Sequence, residues 1–350
     1  MVQYQLKLKL TPRQERQLNH WLRHLASIWN WGIRKIEQDA ADGTYYSVLT
    51  FINLLNGHGK KIGIPQDAIC GTLKTAHTAW QRCFKKIAGK PRLKGRRNKL
   101  NSIAFAHGAT VVNGRLAVLC LGRVRFYKQE IPEGHIGQFR IVKRASGWYA
   151  CLFIQAEPTT IPRVASGRVG IDPGFNHLLT LSTGEKIPHP RELEASALRL
   201  AQAQRGNNKK LAARIQEHIA NQRKDRNHKL SRRLVSENVL IAFSKDSIRG
   251  IAKRFGKSVT SSGHGQLRSM LAYKSSRTGD TIYVEPDSKK STITCSTCGA
   301  ESGPRGLAGL KVRHWQCVGC GTHHDRDQNS AVNALNAAPG AGVERLARVA

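Results

Sequence analysis

Acidic residues are scarce. Asp and Glu number 23 against 57 Lys and Arg, a formal charge of +34 over 350 residues. Such an excess repels itself unless a polyanion neutralises it, and nucleic acid is the first candidate. Long apolar runs are also lacking. The longest stretches resemble Leu116–Leu121 and Val239–Phe243, well short of the ~18 residues that span a bilayer. The N-terminus alternates apolar and polar residues and lacks the apolar block of a secretory signal. No membrane partner is expected, and the protein should work in the cytoplasm. A long disordered tail is excluded as the source of the charge, because 40% of the residues are hydrophobic and can bury real cores. Internal repeats are missing, and the length suits roughly two or three compact units.

Cysteine falls into two groups. Cys70, Cys83, Cys120 and Cys151 are scattered and read as reduced core residues. Cys295 and Cys298 form one CxxC pair, Cys317 and Cys320 another, with eighteen residues between. Two such knuckles can present four thiolates tetrahedrally to one structural Zn²⁺, leaving no position open for catalysis. A redox CxxC is the competing reading, and His314, His323 or His324 lies close enough to replace one thiolate.

The chain opens with a strand from Val2 to Leu10, alternating Tyr4, Leu6 and Leu8 with Gln5, Lys7 and Lys9. Thr11-Pro12-Arg13-Gln14 reads as a capping box that starts a helix. A second helix is predicted from about Asp67 to Ile87. Trp21, Trp29, Trp31 and Tyr45 read as core groups rather than base-stacking ones. Between Phe84 and Lys99 stand Lys85, Lys86, Lys90, Arg92, Lys94, Arg96, Arg97 and Lys99 without an acid. A solvated loop could carry this charge, but a phosphate-contacting strap suits it better. Short strands follow from Ser102 to Glu157, with Asn113-Gly114 as a hairpin turn. Thr159–Ser166 reads as a linker.

Further strands are predicted at Arg168–Asp172, His177–Leu181, Glu185–Ile187, Val239–Phe243 and Thr281–Glu285. A charged helical region spans Glu192–Val235 and breaks near Gly206-Asn207-Asn208. The one-sided charge of its second half favours a helix lying along a duplex, through Arg223, Lys224, Arg226, Lys229, Arg232 and Arg233. Asp172, in Ile171-Asp172-Pro173-Gly174, reads by itself as a turn aspartate. Asp327, in Asp325-Arg326-Asp327-Gln328-Asn329-Ser330-Ala331, reads by itself as a helix cap. Together, two such carboxylates from distant elements can grip a pair of Mg²⁺ ions in a nuclease.

The order of these motifs resembles the TnpB family, transposon-encoded RNA-guided nucleases related to type V CRISPR effectors. The resemblance rests on Ile171–Gly174, Arg223–Ser231, the four cysteines and Asp325–Ala331. Gly89–Lys94 and Leu271-Ala272-Tyr273-Lys274 add to it. It implies a multidomain α+β protein: a RuvC (RNase H-like α/β) domain with an inserted four-cysteine zinc ribbon, a β-barrel wedge domain and a helical recognition lobe. The expected boundaries are 1–10 for the first wedge strand, 11–101 for the helical lobe and 102–158 for the wedge barrel. A linker at 159–167 leads to a first RuvC segment at 168–293, the ribbon at 294–321, a second RuvC segment at 322–338 and a tail at 339–350.

The family carries an Asp, Glu, Asp triad. Asp172 and Asp327 match its first and last members, but spacing back from Ile248-Arg249-Gly250-Ile251 puts Ser244 at the glutamate. A serine hydroxyl is a poor Mg²⁺ ligand. Asp246 is the candidate to rescue the site, two residues along on the same strand face. The chain is therefore most similar to the nuclease-dead TnpB derivatives called TldR. It is expected to bind a guide RNA and a double-stranded DNA target beside a short flanking motif, as a monomeric ribonucleoprotein on the bacterial nucleoid. It would repress transcription by occupying promoters, with residual Mg²⁺ held at Asp172 and Asp327. The alternatives are an active Mg²⁺-dependent RNA-guided endonuclease completed by Asp246, and a DNA-binding module without a guide.

Overall fold

The computed structural model describes residues 2–105, 109–131, 134–155, 166–174, 176–189, 192–245, 262–287, 290–305, 309 and 311–339. The chain divides into two compact units between Pro158 and Thr159. Asp246 and the Ile248–Ile251 segment lie outside the described residues.

In the first unit, β1 (Val2–Lys9) buries Leu6 and Leu8 and is the central strand of a seven-stranded sheet. The other strands are β2 (Ser102–Phe105), β3 (Thr110–Val112), β4 (Arg115–Val118), β5 (Gly122–Phe126), β6 (His135–Arg144) and β7 (Gly147–Gln155). They run in the order β2-β6-β7-β1-β5-β4-β3 with antiparallel neighbours. Val2 to Lys7 of β1 pair with β7, while Leu8 and Lys9 pair with β5. The opening strand thus joins the two halves of the sheet. Asn113 and Gly114 turn β3 into β4 with φ of 50° and 66°, the left-handed pair that a two-residue hairpin requires.

Helix α1 (Pro12–Ala41) begins with the predicted box: Gln14 N–H donates to Thr11 Oγ1 (3.3 Å) and Thr11 N–H to Gln14 Oε1 (3.0 Å). Its apolar stripe, from Leu18 to Ile36, enters one hydrophobic core together with α4 (Gln66–Phe84) and the sheet. Two short helices, α2 (Val48–Asn53) and α3 (His58–Ile62), intervene. Gly71 lets α4 lie on β2, since a Cβ there would sit 2.1 Å from the Ala104 carbonyl oxygen.

The second unit centres on a five-stranded sheet of β8 (Gly167–Pro173), β9 (His177–Leu181), β10 (Lys186–Pro188), β11 (Asn238–Phe243) and β12 (Ile282–Val284). The order is β10-β9-β8-β11-β12. Neighbours among β8, β9 and β10 are antiparallel, whereas β11 is parallel to both β8 and β12. This mixed sheet with helices on it is the α/β architecture expected of an RNase H-like unit. The predicted helical break is real: α5 (Glu192–Arg205) ends, Asn207 takes φ 51°, and Asn208 caps α6 (Lys209–Glu237). A further helix, α7 (His264–Thr278), packs with α6 on one face. The last helix, α8 (Arg326–Asn336), lies on the other. Among the described residues, no helix is long and apolar enough to cross a membrane.

Candidate functional site

Strand alternation sorts β8 and β11. Val169, Ile171, Ile241 and Phe243 enter the core beneath α6 and α7, so Gly170, Asp172, Ala242 and the next residue, Ser244, face α8. Gly170 is required there: a Cβ would meet the Ala331 carbonyl oxygen at 1.9 Å. Ser244 N–H extends the β8–β11 ladder by donating to Ile171 O (2.9 Å). The sheet thereby places Asp172 and Ser244 at adjacent strand ends, with Asp327 in the first turn of the helix above. Asp172 and Ser244 thus share one face of the sheet, and Asp327 belongs to the helix that packs on that face.

Their surroundings differ. Ser330 Oγ donates to Asp172 Oδ1 (2.7 Å). Arg313, just before the ribbon hairpin, reaches both carboxylate oxygens of Asp327 at 3.1 and 3.2 Å. Asp325 caps α8 and pairs with Lys186 (2.6 Å). Ser244 is fully buried, and its hydroxyl has no hydrogen-bond partner among the described residues. Arg268 of α7 donates to the Ser244 carbonyl (3.3 Å) and pairs with Glu285 (3.1 Å), just past β12. Tyr283 donates to the same glutamate at 2.7 Å. Arg313 and Arg268 carried no sequence signal, and Ser330 and Glu285 stood in a quoted motif and a predicted strand without a role, because their roles depend on partners distant in the chain.

The four cysteines come together. Their sulfur atoms all lie within 4.8 Å of one another, with Cys295–Cys320 at 3.7 Å and Cys298–Cys317 at 3.6 Å. A tetrahedron with Zn–S bonds of ~2.3 Å has edges of about 3.8 Å, so the cluster fits a metal ion such as zinc. Ser302 Oγ at 3.2 Å from Cys317 Sγ lowers that thiol to about 6. His324 Nε2 is 3.0 Å from Cys295 Sγ, whereas the metal-sized cluster comprises the cysteines alone among the described residues. Two strands, β13 (His314–Gln316) and β14 (His323–Asp325), form the ribbon hairpin. Asn329 and Asn333 of α8 tie its base, each donating to the Ser291 and Thr294 carbonyls.

The basic stretches divide by role. In the strap, Lys85, Lys86, Lys90, Arg92, Arg96, Arg97 and Lys99 are exposed, and Lys94 is half-buried. In α6, Lys224, Lys229 and Arg232 are exposed, with Lys229 on Asp225 (2.8 Å). Arg226 is engaged by Glu192 (3.0 Å) and the Ser262 carbonyl, and Arg233 by Glu185 (2.9 Å). Arg223 is half-buried beside Gly263. Much of Arg223–Ser231 therefore serves the α6–α7 contact. Asn227 is buried on Gly263 and Gln266, and Lys274 donates to His228 O and Ser231 Oγ, both at 2.7 Å.

The chain is similar to known proteins. A family model described as "Cas12f1-like, TNB domain" matches residues 264–334, and one described as "Probable transposase" matches 154–253. A "Putative RNA-guided DNA endonuclease" of Streptomyces pristinaespiralis is 34% identical over 285 residues, covering 76% of this chain and 69% of that protein. The protein InsQ of Escherichia coli (strain K12), with the same description, is 24% identical over 304 residues, covering 78% and 74%. In a solved Cas12f1–sgRNA–target DNA complex, a chain sharing 11% identity superposes with a TM-score of 0.56, covering 94% of this chain and 84% of that one. That likeness concerns the fold. The Streptomyces relative, read with the matched family models and the ordered motifs, establishes that the chain belongs to the TnpB family of RNA-guided DNA endonuclease-like proteins.

Proposed function

We propose that this TnpB-family protein binds guide-matched DNA without cutting it and represses transcription by occupying promoters. The observation that carries the reading is Ser244, a buried neutral hydroxyl at the strand end beside Asp172. Two divalent ions about 4 Å apart need several anionic oxygens. Here both oxygens of Asp327 are taken by Arg313, and Asp172 accepts from Ser330. Among the described residues this donor set does not fit a two-metal centre. Strand opening and base pairing require no carboxylate, so guided binding survives the loss. The relatives' descriptions and the sgRNA–target DNA complex of Cas12f1 support guide RNA and duplex DNA as partners. The cysteine cluster would hold Zn²⁺, and the exposed strap and α6 cations would meet phosphates.

The test uses ribonucleoprotein expressed with its native flanking DNA, whose bound RNA is sequenced to identify the target. Incubation with matched duplex and Mg²⁺ should give a salt-sensitive complex and no cut. A Mg²⁺-dependent cut, abolished by Asp172→Ala, would sink the repressor reading.

One observation favours an endonuclease as the second reading. Glu285 follows the strand next to Ser244, and Arg268 links its carboxylate to the Ser244 carbonyl. Glu285 stands on the α7 face of that sheet end, opposite Asp172, so its carboxylate would complete the site only by leaving Arg268 and turning round the end of β12. Should cleavage appear, Glu285→Gln and Asp246→Ala would identify which acid supplies it.

A further inference from the structure

Helix α1 carries more than the core stripe. Ser27, Asn30, Trp31, Arg34, Lys35 and Gln38 line a groove of about 350 Å³ on its outer side. The Trp31 ring lies nearly parallel to Phe51 (12°, centroids 6.0 Å apart), which fixes its plane at the groove. The nearby acids are engaged: Asp39 by Lys35 (2.8 Å) and Glu37 by Lys90. Arg34 is exposed, and among the described residues no acid pairs with it.

The basic strap is fastened to this same helix. Trp29 Nε1–H donates to Arg92 O (3.1 Å), and Asn30 grips Lys94 twice, accepting from its N–H (2.6 Å) and donating to its carbonyl (2.9 Å). Lys94 Nζ lies 5.1 Å from the Trp29 ring centre. Beyond it, Asn98 closes a turn by donating to Leu93 O (3.0 Å), and Gly95 N–H donates to Asn98 O (3.1 Å). That turn leaves Arg96 and Arg97 exposed. A segment without helix or strand is thus held in register with α1 by side chain–main chain bonds.

We propose that this groove is a binding site for an unpaired nucleobase of a single-stranded nucleic acid, which stacks on Trp31 while Arg34 and the strap cations take its flanking phosphates. Asn30 and Gln38 border the place where the base edge would lie. The proposal rests on the nucleic-acid-binding reading above and adds a strand state, unpaired, and a place to it. Base–aromatic stacking tolerates any sequence, in keeping with a protein whose specificity comes from base pairing. Single-stranded guide RNA and displaced DNA share this chemistry.

The experiment measures affinity of the full-length protein for a labelled mixed-sequence 20-mer as RNA, as single-stranded DNA and as DNA duplex. Trp31→Ala should weaken single-strand binding roughly tenfold and leave duplex affinity and salt slope unchanged, while Trp31→Phe should restore most of the loss. A larger effect on RNA assigns the site to the guide, and a larger effect on DNA to the displaced strand. Arg34→Gln with Gln38→Ala spares the packed ring; it should weaken single-strand binding too, and lower the slope by about one ion. The groove is overturned if both variants, folded by circular dichroism, bind single strands like wild type, or if Trp31→Ala weakens duplex equally. Either result would leave guided binding standing. A wild-type protein that binds none of the three probes would overturn both readings.

Discussion

Ser244 places a buried hydroxyl without a partner among the described residues, a deficit of roughly 1–3 kcal/mol. Restoring a carboxylate with Ser244→Glu puts an uncompensated charge beside Asp172, which should destabilise the fold by about 3 kcal/mol without metal. An ion bound between the two carboxylates would stabilise the folded state by mass action. Thermal melts should therefore show Mg²⁺ raising the Tm of Ser244→Glu and leaving wild type unmoved. No Mg²⁺ response in the variant would mean that Arg313 also stands against an ion pair, and Arg313→Ala in the same background would then restore the response. Gly170 tests the frame of the site. The 1.9 Å approach of a Cβ to Ala331 O involves helix backbone, so Gly170→Ala should cost about 3 kcal/mol, read as a lowered urea midpoint.

At the scale of elements, α7 begins with His264, whose Nε2–H donates to Leu178 O (2.9 Å). Burial lowers its pKa from 6.5 to about 4 against that hydrogen bond, which pulls it up, and His189, Arg226 and Arg268 nearby push the same way as burial. The unfolded chain takes up this proton near the ordinary value, the folded chain only near 4, so the unfolded state binds more protons in between. The contribution is complete above pH 6.5 and is lost as pH falls toward 4, by up to about 3 kcal/mol. His264→Gln should flatten the difference in stability between pH 7 and pH 5, measured by urea titration at each pH.

This helix was also the largest element not legible in the sequence. Its buried positions include His264, Lys274 and Ser275 beside Leu267, Met270 and Leu271, so the apolar period is diluted by polar groups: Lys274 is satisfied from α6, His264 from β9, and the Ser275 hydroxyl has no partner among the described residues. Where local chemistry sufficed, legibility was high: the Thr11 box, the Asn113-Gly114 turn and the Asn207-Asn208 break all stand where the residues put them. Strand β2 is four residues long and the ribbon strands three each, too short for a period to show. In the candidate site, residue types and order singled out Asp172, Asp327 and the cysteines, and the cysteines do come together as a metal-sized cluster. Arg313 on Asp327 and Glu185 on Arg233 are pairings across 14 and 48 residues, which no local pattern encodes.

At the scale of the whole molecule, a charge of +34 predicts strong but uninformative adhesion to polyanions unless some cations are set apart for defined phosphates. The structure separates the classes. Arg226 and Arg233 are committed to Glu192 and Glu185, while Arg92, Arg96 and Arg97 stand exposed on a strap pinned to α1. Each phosphate neutralised releases counterions, so the logarithm of affinity falls with the logarithm of salt by about 0.9 per contact on duplex DNA and 0.7 on single strands. Combining Arg92→Ala, Arg96→Ala and Arg97→Ala should flatten that slope by about two to three over roughly 50–200 mM salt, with little effect on thermal stability. Arg233→Ala should do the reverse, lowering stability and sparing the slope, because its guanidinium neutralises Glu185 rather than a phosphate. Equal slope losses in the two variants would mean that the excess charge acts as a diffuse field. Unequal losses would place the contacts on the strap, where a guided complex needs fixed cations to hold a backbone in register.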